Sequence, residues 1–313
     1  MATLPTRPLG ASGLRSAVVG LGCNNFGRRL DLAGTRAVVD SALQEGVTFF
    51  DTADIYGRGL SEEYLGKALN GRRDEVVLAT KFGMDMGDGR GPRGSRDYVM
   101  GAIDASLRRL ETDTIDLYWY HEPDGVTPIE ETLGALHELV QAGRVRAIGA
   151  SNFDAPQLRE ADAIARQRDL TRFTAIQNEY SLIVREAEDE VLPECERLGI
   201  GFVPYFPLAS GLLTGKYRRG EPGPSGARLS KREQVATDEQ FDLVERLERY
   251  AAEREVALVD VAIGALLAQP AVSSVIAGAT RPEQVRANAQ AAGWSPSEDD
   301  LTALGEVLSA SGA

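Results

Sequence analysis

Eight short runs rich in β-branched and aromatic residues recur along the 313-residue chain, and between them apolar residues return at three- and four-residue spacing. The runs are VVGLG (18–22), VTFFD (47–51), VVLATK (76–81), IDLYWYH (115–121), VRAIGAS (145–151), TAIQNE (174–179), GFVPYF (201–206) and VSSVIAG (272–278). Helical stretches such as SRDYVMGAIDASLRRLE and TPIEETLGALHELVQAG separate them. In the second, Thr127 is the expected N-cap, Pro128 the first helical residue and Gly143 the C-cap. A further helix is expected over Ser297 to Leu308. Eight strand–helix units without a break in composition predict an (α/β)8 TIM barrel with a parallel eight-stranded sheet, folded as one domain over residues 1–313. A doubly wound sheet alternates in the same way, but its nucleotide fingerprint stands at a tight turn directly from strand into helix. In GLGCNN, Asn25 stands at the third glycine position. The match formed by Gly89, Gly91 and Gly94 begins well past a strand and carries Pro92.

Composition narrows the function. Two cysteines, Cys23 and Cys195, make no disulfide framework, and two histidines make no histidine-rich metal site. The N-terminal MATLPTRPLGASGL lacks a basic segment followed by an apolar core, and no apolar run is long enough to span a bilayer. A cytoplasmic protein without a membrane partner is expected. The formal charge of -13 opposes binding to nucleic acid. Nothing in the pattern specifies an oligomer.

In a barrel, chemistry gathers at the C-terminal ends of the strands. Read in order, those ends offer Asp51, Lys81, His121, Ser151 with Asn152, Gln177, Tyr205 and Gly278. Turn chemistry explains Gly, Asn, Asp and Ser but not Lys, His, Gln and Tyr. Singly, Asp51 reads as a cap, Lys81 as a surface cation, His121 as a hydrogen-bonded strand end and Tyr56 as packing. Together they read as a proton-donating site for a carbonyl. A phenol with an ordinary pKa of about 10 is a poor acid at neutral pH unless its anion is stabilised. Lys81 is expected to lower the pKa of Tyr56, Asp51 to keep Lys81 charged, and His121 to fix the carbonyl oxygen. No side chain supplies a hydride, so a cofactor is required. Two other classes fit a barrel of this kind: a cofactor-holding, redox-sensing or regulatory subunit with slow turnover, and a metal-dependent hydrolase or isomerase using Asp51, Asp54, His121 and Glu122.

The motifs DTADIYGRGLSEEYLGKAL, LATKFG, SLRRLETDTIDLYWYHEPD, GRVRAIGASNF, IQNEYSL, YFPLASGLLTGKY and GATRPEQVRANAQA, in this order, resemble those of the aldo-keto reductase superfamily. The pattern is similar to its longer prokaryotic and potassium-channel β-subunit-like branches. The resemblance implies an (α/β)8 barrel that uses NADPH/NADP+, with NADH as the alternative, on a small-molecule aldehyde, ketone or sugar. It places the catalytic tetrad on Asp51, Tyr56, Lys81 and His121. It assigns the nicotinamide carboxamide to Ser151, Asn152 and Gln177, and the ring stack to Tyr205. Further cofactor contacts are implied at Leu208, Gly211, Leu213, Lys216, Arg228, Gly278, Thr280, Arg281, Gln284 and Asn288. Phe206 departs from the serine common after the stacking tyrosine, and the lysine and serine that some branches use around Gly278 are absent.

Two loops carry expectations of their own. Lys216 to Arg232 holds six basic residues (Lys216, Arg218, Arg219, Arg228, Lys231 and Arg232) against the single acid Glu221, and is expected to fold over the cofactor diphosphate. Arg281, just before Pro282 at a helix start, is expected to read the 2'-phosphate, with Thr280 adding a hydroxyl. The loops Cys23–Leu30, Met84–Ser95 and Glu122–Val126, with the terminal segment, are expected to set substrate choice.

Overall fold

A computed structural model describes residues 4–230 and 235–310. Among the described residues ten strands are present: β1 (Thr6–Pro8), β2 (Arg15–Ala17), β3 (Val19–Gly22), β4 (Phe49–Asp51), β5 (Val77–Phe82), β6 (Ile115–Tyr120), β7 (Val145–Ser151), β8 (Ala175–Gln177), β9 (Gly201–Phe202) and β10 (Val275–Gly278). The eight from β3 to β10 form one parallel sheet in the order β10-β3-β4-β5-β6-β7-β8-β9. Its two ends meet. Phe202 N–H donates to Ala271 O at 2.7 Å, Ser273 N–H to Phe202 O at 2.9 Å and Ile276 N–H to Pro204 O at 3.1 Å, closing the barrel.

Helices α1 (Leu32–Gln44), α2 (Leu60–Ala68), α3 (Arg96–Leu110), α4 (Ile129–Gln141), α5 (Ala155–Gln167) and α6 (Val191–Leu198) link successive strands. Between β9 and β10 lie α7 (Asp238–Glu253) and α8 (Leu258–Ala268); α9 (Pro282–Ala291) and α10 (Glu298–Ser309) follow. None of the described helices is long and apolar enough to cross a membrane.

Two details differ from the sequence reading. Pro128, not Thr127, occupies the N-cap of α4, because Thr127 is drawn to Asp124: its N–H and hydroxyl donate to the two carboxylate oxygens at 2.8 and 2.7 Å. At the other end Ala142 is the cap, and Gly143 follows it with a φ of 69°, the left-handed position that glycine fills beyond a helix end. The hairpin β1–β2 was not foreseen, since Thr6–Pro8 is short, largely exposed and ends in proline. Its function is packing: Leu9, just after β1, is wholly buried with Phe49, Leu117, Trp119 and Val203, so the hairpin stoppers the lower end of the barrel.

Period-2 alternation sets what the barrel interior contains. Phe49, Ala79, Leu117, Trp119, Ala147, Ala175, Val203 and Ile276 fill it, while intervening residues such as Phe50, Leu78, Tyr118 and Ile148 face the helices. One step further along each strand, the inward positions become Asp51, Lys81, His121, Ser151, Gln177, Tyr205 and Gly278. The polar ring is therefore the last layer of an apolar stack.

Candidate active site

Asp51 is the hub of that layer. It is 2% exposed and accepts from the Lys81 ammonium on one oxygen, and from Trp119 Nε1 at 2.9 Å and Gln177 Nε2 at 3.0 Å on the other. Lys81 also donates to Thr52 O at 3.1 Å. Trp119 was not singled out in the sequence, although its place two residues before His121 in IDLYWYH is the signal for an inward position. Gly149 makes room for it: a Cβ there would lie 2.4 Å from the indole ring.

Tyr56 enters from a tight turn. After β4 the chain forms a short 3-10 segment, Tyr56–Gly59, in which Gly57, Arg58 and Gly59 have φ of 59°, 56° and 91°. Left-handed backbone at three successive positions is cheap only with glycines among them. The centre of the phenol ring lies 5.2 Å from Lys81 Nζ and 6.0 Å from the centre of the His121 ring, edge to face. Lys81 itself is fully buried behind this surface, whereas Asp51, Tyr56 and His121 line the cavity.

Electrostatics differ from the simple expectation in one respect. Burial raises the Tyr56 pKa above its ordinary value, and the Lys81 charge lowers it only in part, so the net shift is upward. Burial pulls Lys81 down, yet Asp51 and Tyr56 outweigh it and hold the ammonium above the usual lysine value. His121 is pushed down to about 2 by burial and then by Lys81, so the ring is neutral. Its Nδ1 is buried without a hydrogen-bond partner among the described residues, while its backbone N–H donates to Phe82 O at 2.8 Å.

The next strand ends form an amide cluster. Asn152 Nδ2 donates to His121 O at 2.9 Å and Ser151 Oγ at 3.2 Å, and its Oδ1 accepts from the Tyr205 hydroxyl at 2.9 Å. Asn152, Phe206, Ala209 and Ser210 all have positive φ, between 45° and 59°. Such strain in non-glycine residues clusters where surroundings over-determine the backbone, as at a binding site.

One cavity of about 1010 Å³ runs from this cluster across the top of the barrel. That is the upper end of ligand-site volumes, enough for a dinucleotide and a small second molecule. Every expected contact among Ser151, Asn152, Gln177, Tyr205, Leu208, Gly211, Lys216, Arg228, Gly278, Thr280, Arg281, Gln284 and Asn288 lines it. Leu213 does not: it is fully buried in the apolar cluster beneath α7 and α8, because the turn through Gly211 and Leu213 points it inward. Lys216 folds back over Gly211, where a Cβ would lie 2.4 Å from its Nζ. Thr280 donates its N–H and hydroxyl to Gln284 Oε1 at 2.7 and 3.0 Å, and Arg281 is the N-cap residue of α9 with Pro282 following.

The basic loop divides. Residues 224–228 line the cavity, but Arg218 pairs with Glu248, and Arg219 with Asp238, Asp242 and Glu245 of α7, so these two face away. Lys231 and Arg232 lie outside the described residues. Asn24, Asn25, Arg28 and Arg29, from the loop after β3 that was expected to set substrate choice, also line the cavity. No three or more His, Cys, Asp or Glu side chains gather as a metal would need among the described residues. Asp54 turns from the cavity, with Glu62 and Arg109 as its charged neighbours.

These features agree with what comparison finds. The Aldo/keto reductase family model matches residues 18–308. Similar proteins include a probable voltage-gated potassium channel subunit beta of Oryza sativa subsp. japonica, 37% identical over 296 residues, covering 90% of this chain and 89% of the relative. One of the same name from Arabidopsis thaliana is 37% identical over 294 residues, with 90% and 89% coverage. A probable aldo-keto reductase 1 of Glycine max is 35% identical over 312 residues, covering 96% and 88%. The chain belongs to the aldo/keto reductase family.

Proposed function

We propose that the protein is an NADPH-dependent carbonyl reductase, running as an alcohol dehydrogenase in reverse, on small aldehydes, ketones or sugars. The observation that carries this reading is the meeting of Tyr56, neutral His121 and the buried Lys81–Asp51 pair at one end of a cavity whose other end is lined by cations. The nicotinamide cofactor, when bound, supplies the hydride that no side chain here can give. Lys216, Arg228 and Arg281 would hold its phosphates, and Ser151, Asn152, Gln177 and Tyr205 its nicotinamide end.

The chain's own groups handle the proton. Neutral His121 donates a hydrogen bond to the carbonyl oxygen and orients it. The Tyr56 hydroxyl, kept protonated by its raised pKa, gives its proton to that oxygen as negative charge develops. Lys81 then stabilises the phenolate, and Asp51, fixed by Trp119 and Gln177, keeps the fully buried Lys81 charged.

A second reading is favoured by the names of the plant relatives: a cofactor-holding subunit that turns over slowly. Steady-state absorbance of NADPH and NADH with a panel of carbonyls separates the two. Turnover of about 1 per second or more supports the reductase. Tight cofactor binding with negligible turnover across the panel supports the subunit, and absence of binding to either cofactor overturns both.

A further inference from the structure

Five cations line the cavity: Arg28, Arg29, Lys216, Arg228 and Arg281. None forms an ion pair among the described residues, whereas Arg219, on the same basic loop, is held by three acids. Four of the five have a use. Lys216 and Arg281 stand beside the residues expected to hold a dinucleotide. Arg29 and Arg228 form a reciprocal clasp: Arg29 donates to the carbonyl of Gly226, and Arg228 to Asn24 Oδ1 at 3.1 Å, so each of two facing loops reaches across to the other. Arg228 also lies 5.0 Å from the centre of the Phe206 ring.

Arg28 is left over. Its guanidinium is exposed, lines the cavity, and has no hydrogen bond, ion pair or aromatic contact among the described residues. Its neighbour in the chain gives its position: Gly27 packs against the turn that carries Tyr56, where a Cβ on Gly57 would lie 3.3 Å from Gly27 O. Arg28 therefore stands on the loop beside the Tyr56 turn, while Lys216 and Arg281 lie with the expected dinucleotide contacts. Met84 and Phe206 supply apolar wall to the same cavity, and its two acids are already engaged: Asp51 by Lys81, and Glu122 by Arg93 at 3.8 Å.

We propose that Arg28 is a specificity-determining residue that selects carbonyl substrates bearing an anionic substituent, a carboxylate or a phosphate. The inference rests on the reductase reading above. A planar guanidinium offers paired N–H donors that match either anion, and a cation at the rim of a cavity also speeds the approach of an anion. Exposure weakens the contact, so an effect of about fivefold to tenfold is expected rather than the larger gain of a buried pair.

Two matched pairs test it by kcat/KM at saturating NADPH: 4-formylbenzoate against its methyl ester, and glyceraldehyde 3-phosphate against glyceraldehyde. In at least one pair the charged member is preferred about fivefold to tenfold, and the pair that responds names the anion. The preference shrinks as salt is added, is lost in Arg28→Ala and is largely regained in Arg28→Lys. Equal or poorer use of both charged members, or an Arg28→Ala variant that keeps the preference, overturns the role of Arg28 and leaves the reductase reading standing. No turnover with any of the four overturns that reading, and this inference with it.

Discussion

The two ends of the cavity are built on opposite principles. At the Tyr56 end, apart from the exposed Arg28 of the loop beside it, the charges are buried and mutually satisfied: Asp51 accepts from three donors, and Lys81 is fully enclosed. At the Arg281 end, cations sit on loops and a helix start without acid partners among the described residues. The first end is preorganised for a reaction at one atom, so its worth lies in geometry fixed before any ligand arrives. The second is left unneutralised, so its worth appears only when an anion comes. Substitutions in the first should cost turnover or folding, and in the second only binding.

The largest effect breaks the first end at its acid. Under the proposed chemistry, Tyr56→Phe keeps the ring and its packing and removes the proton, so kcat falls about a hundredfold or more. NADPH affinity measured by fluorescence titration changes less than about twofold, since the phosphate end is untouched. Near wild-type turnover would remove Tyr56 from the role of proton donor.

The pH dependence of stability probes the same buried side. Burial and then Glu62 raise Asp54 to about 7. The folded chain therefore holds a proton on Asp54 that the unfolded chain has already released, and stability falls as pH rises from about 4 to about 7. His121 acts oppositely. With its pKa lowered to about 2, it stays neutral where the unfolded chain takes up a proton, so stability falls as pH drops below about 6.5. Asp54→Asn should flatten the neutral-side loss, gaining up to a few kcal/mol over wild type at pH 8 but little at pH 4. Urea unfolding at the two pH values measures it; an equal gain at both would mean that Asp54 is ionised in the fold.

The sequence disclosed these two ends unequally, for a physical reason. Strand alternation is a short-range pattern, and it placed Asp51, Lys81, His121, Ser151, Gln177 and Tyr205 on one inward layer without knowledge of any contact. Trp119 and Gly149 were hidden because an inward tryptophan and a small residue read as ordinary core until they meet across β6 and β7. Loops have no such period. Their charge content marked Lys216 and Arg228, which line the cavity, but could not tell them from Arg218 and Arg219, whose direction depends on acids of α7 distant in sequence. The reciprocal clasp between Arg29 and Gly226 spans 197 residues, beyond any local signal.

At the phosphate end, Arg281 tests whether the unpaired cations act as expected. Its side chain leaves the start of α9, the end of the helix dipole that favours an anion. A charge-assisted contact of about 1.5–3 kcal/mol means that Arg281→Ala weakens NADPH binding about tenfold to a hundredfold, with NADH little changed. The unfolding midpoint without cofactor should stay within about 0.5 kcal/mol of wild type, as for an exposed residue without partners. Equal loss for both cofactors would show that this arginine does not read the 2'-phosphate.

The smallest effect sharpens the contrast from the buried side. Trp119→Phe keeps most of the apolar volume that fills the barrel beneath Asp51 and removes one donor, the indole N–H at 2.9 Å. Asp51 retains Lys81 and Gln177, so the carboxylate is not orphaned, and the cost is that of one hydrogen bond to a charged group with partial relief, about 1–2 kcal/mol. That loss should appear in the urea midpoint of the cofactor-free protein, the quantity that Arg281→Ala leaves alone. NADPH affinity, which Arg281→Ala changes, should stay put. Turnover should drop by a few-fold, because Asp51 steers Lys81 less tightly and the phenolate of Tyr56 is stabilised less well. A variant with unaltered stability but weakened cofactor binding would reverse the division between the two ends, making the Asp51 cluster part of the ligand site rather than a prebuilt frame for proton transfer.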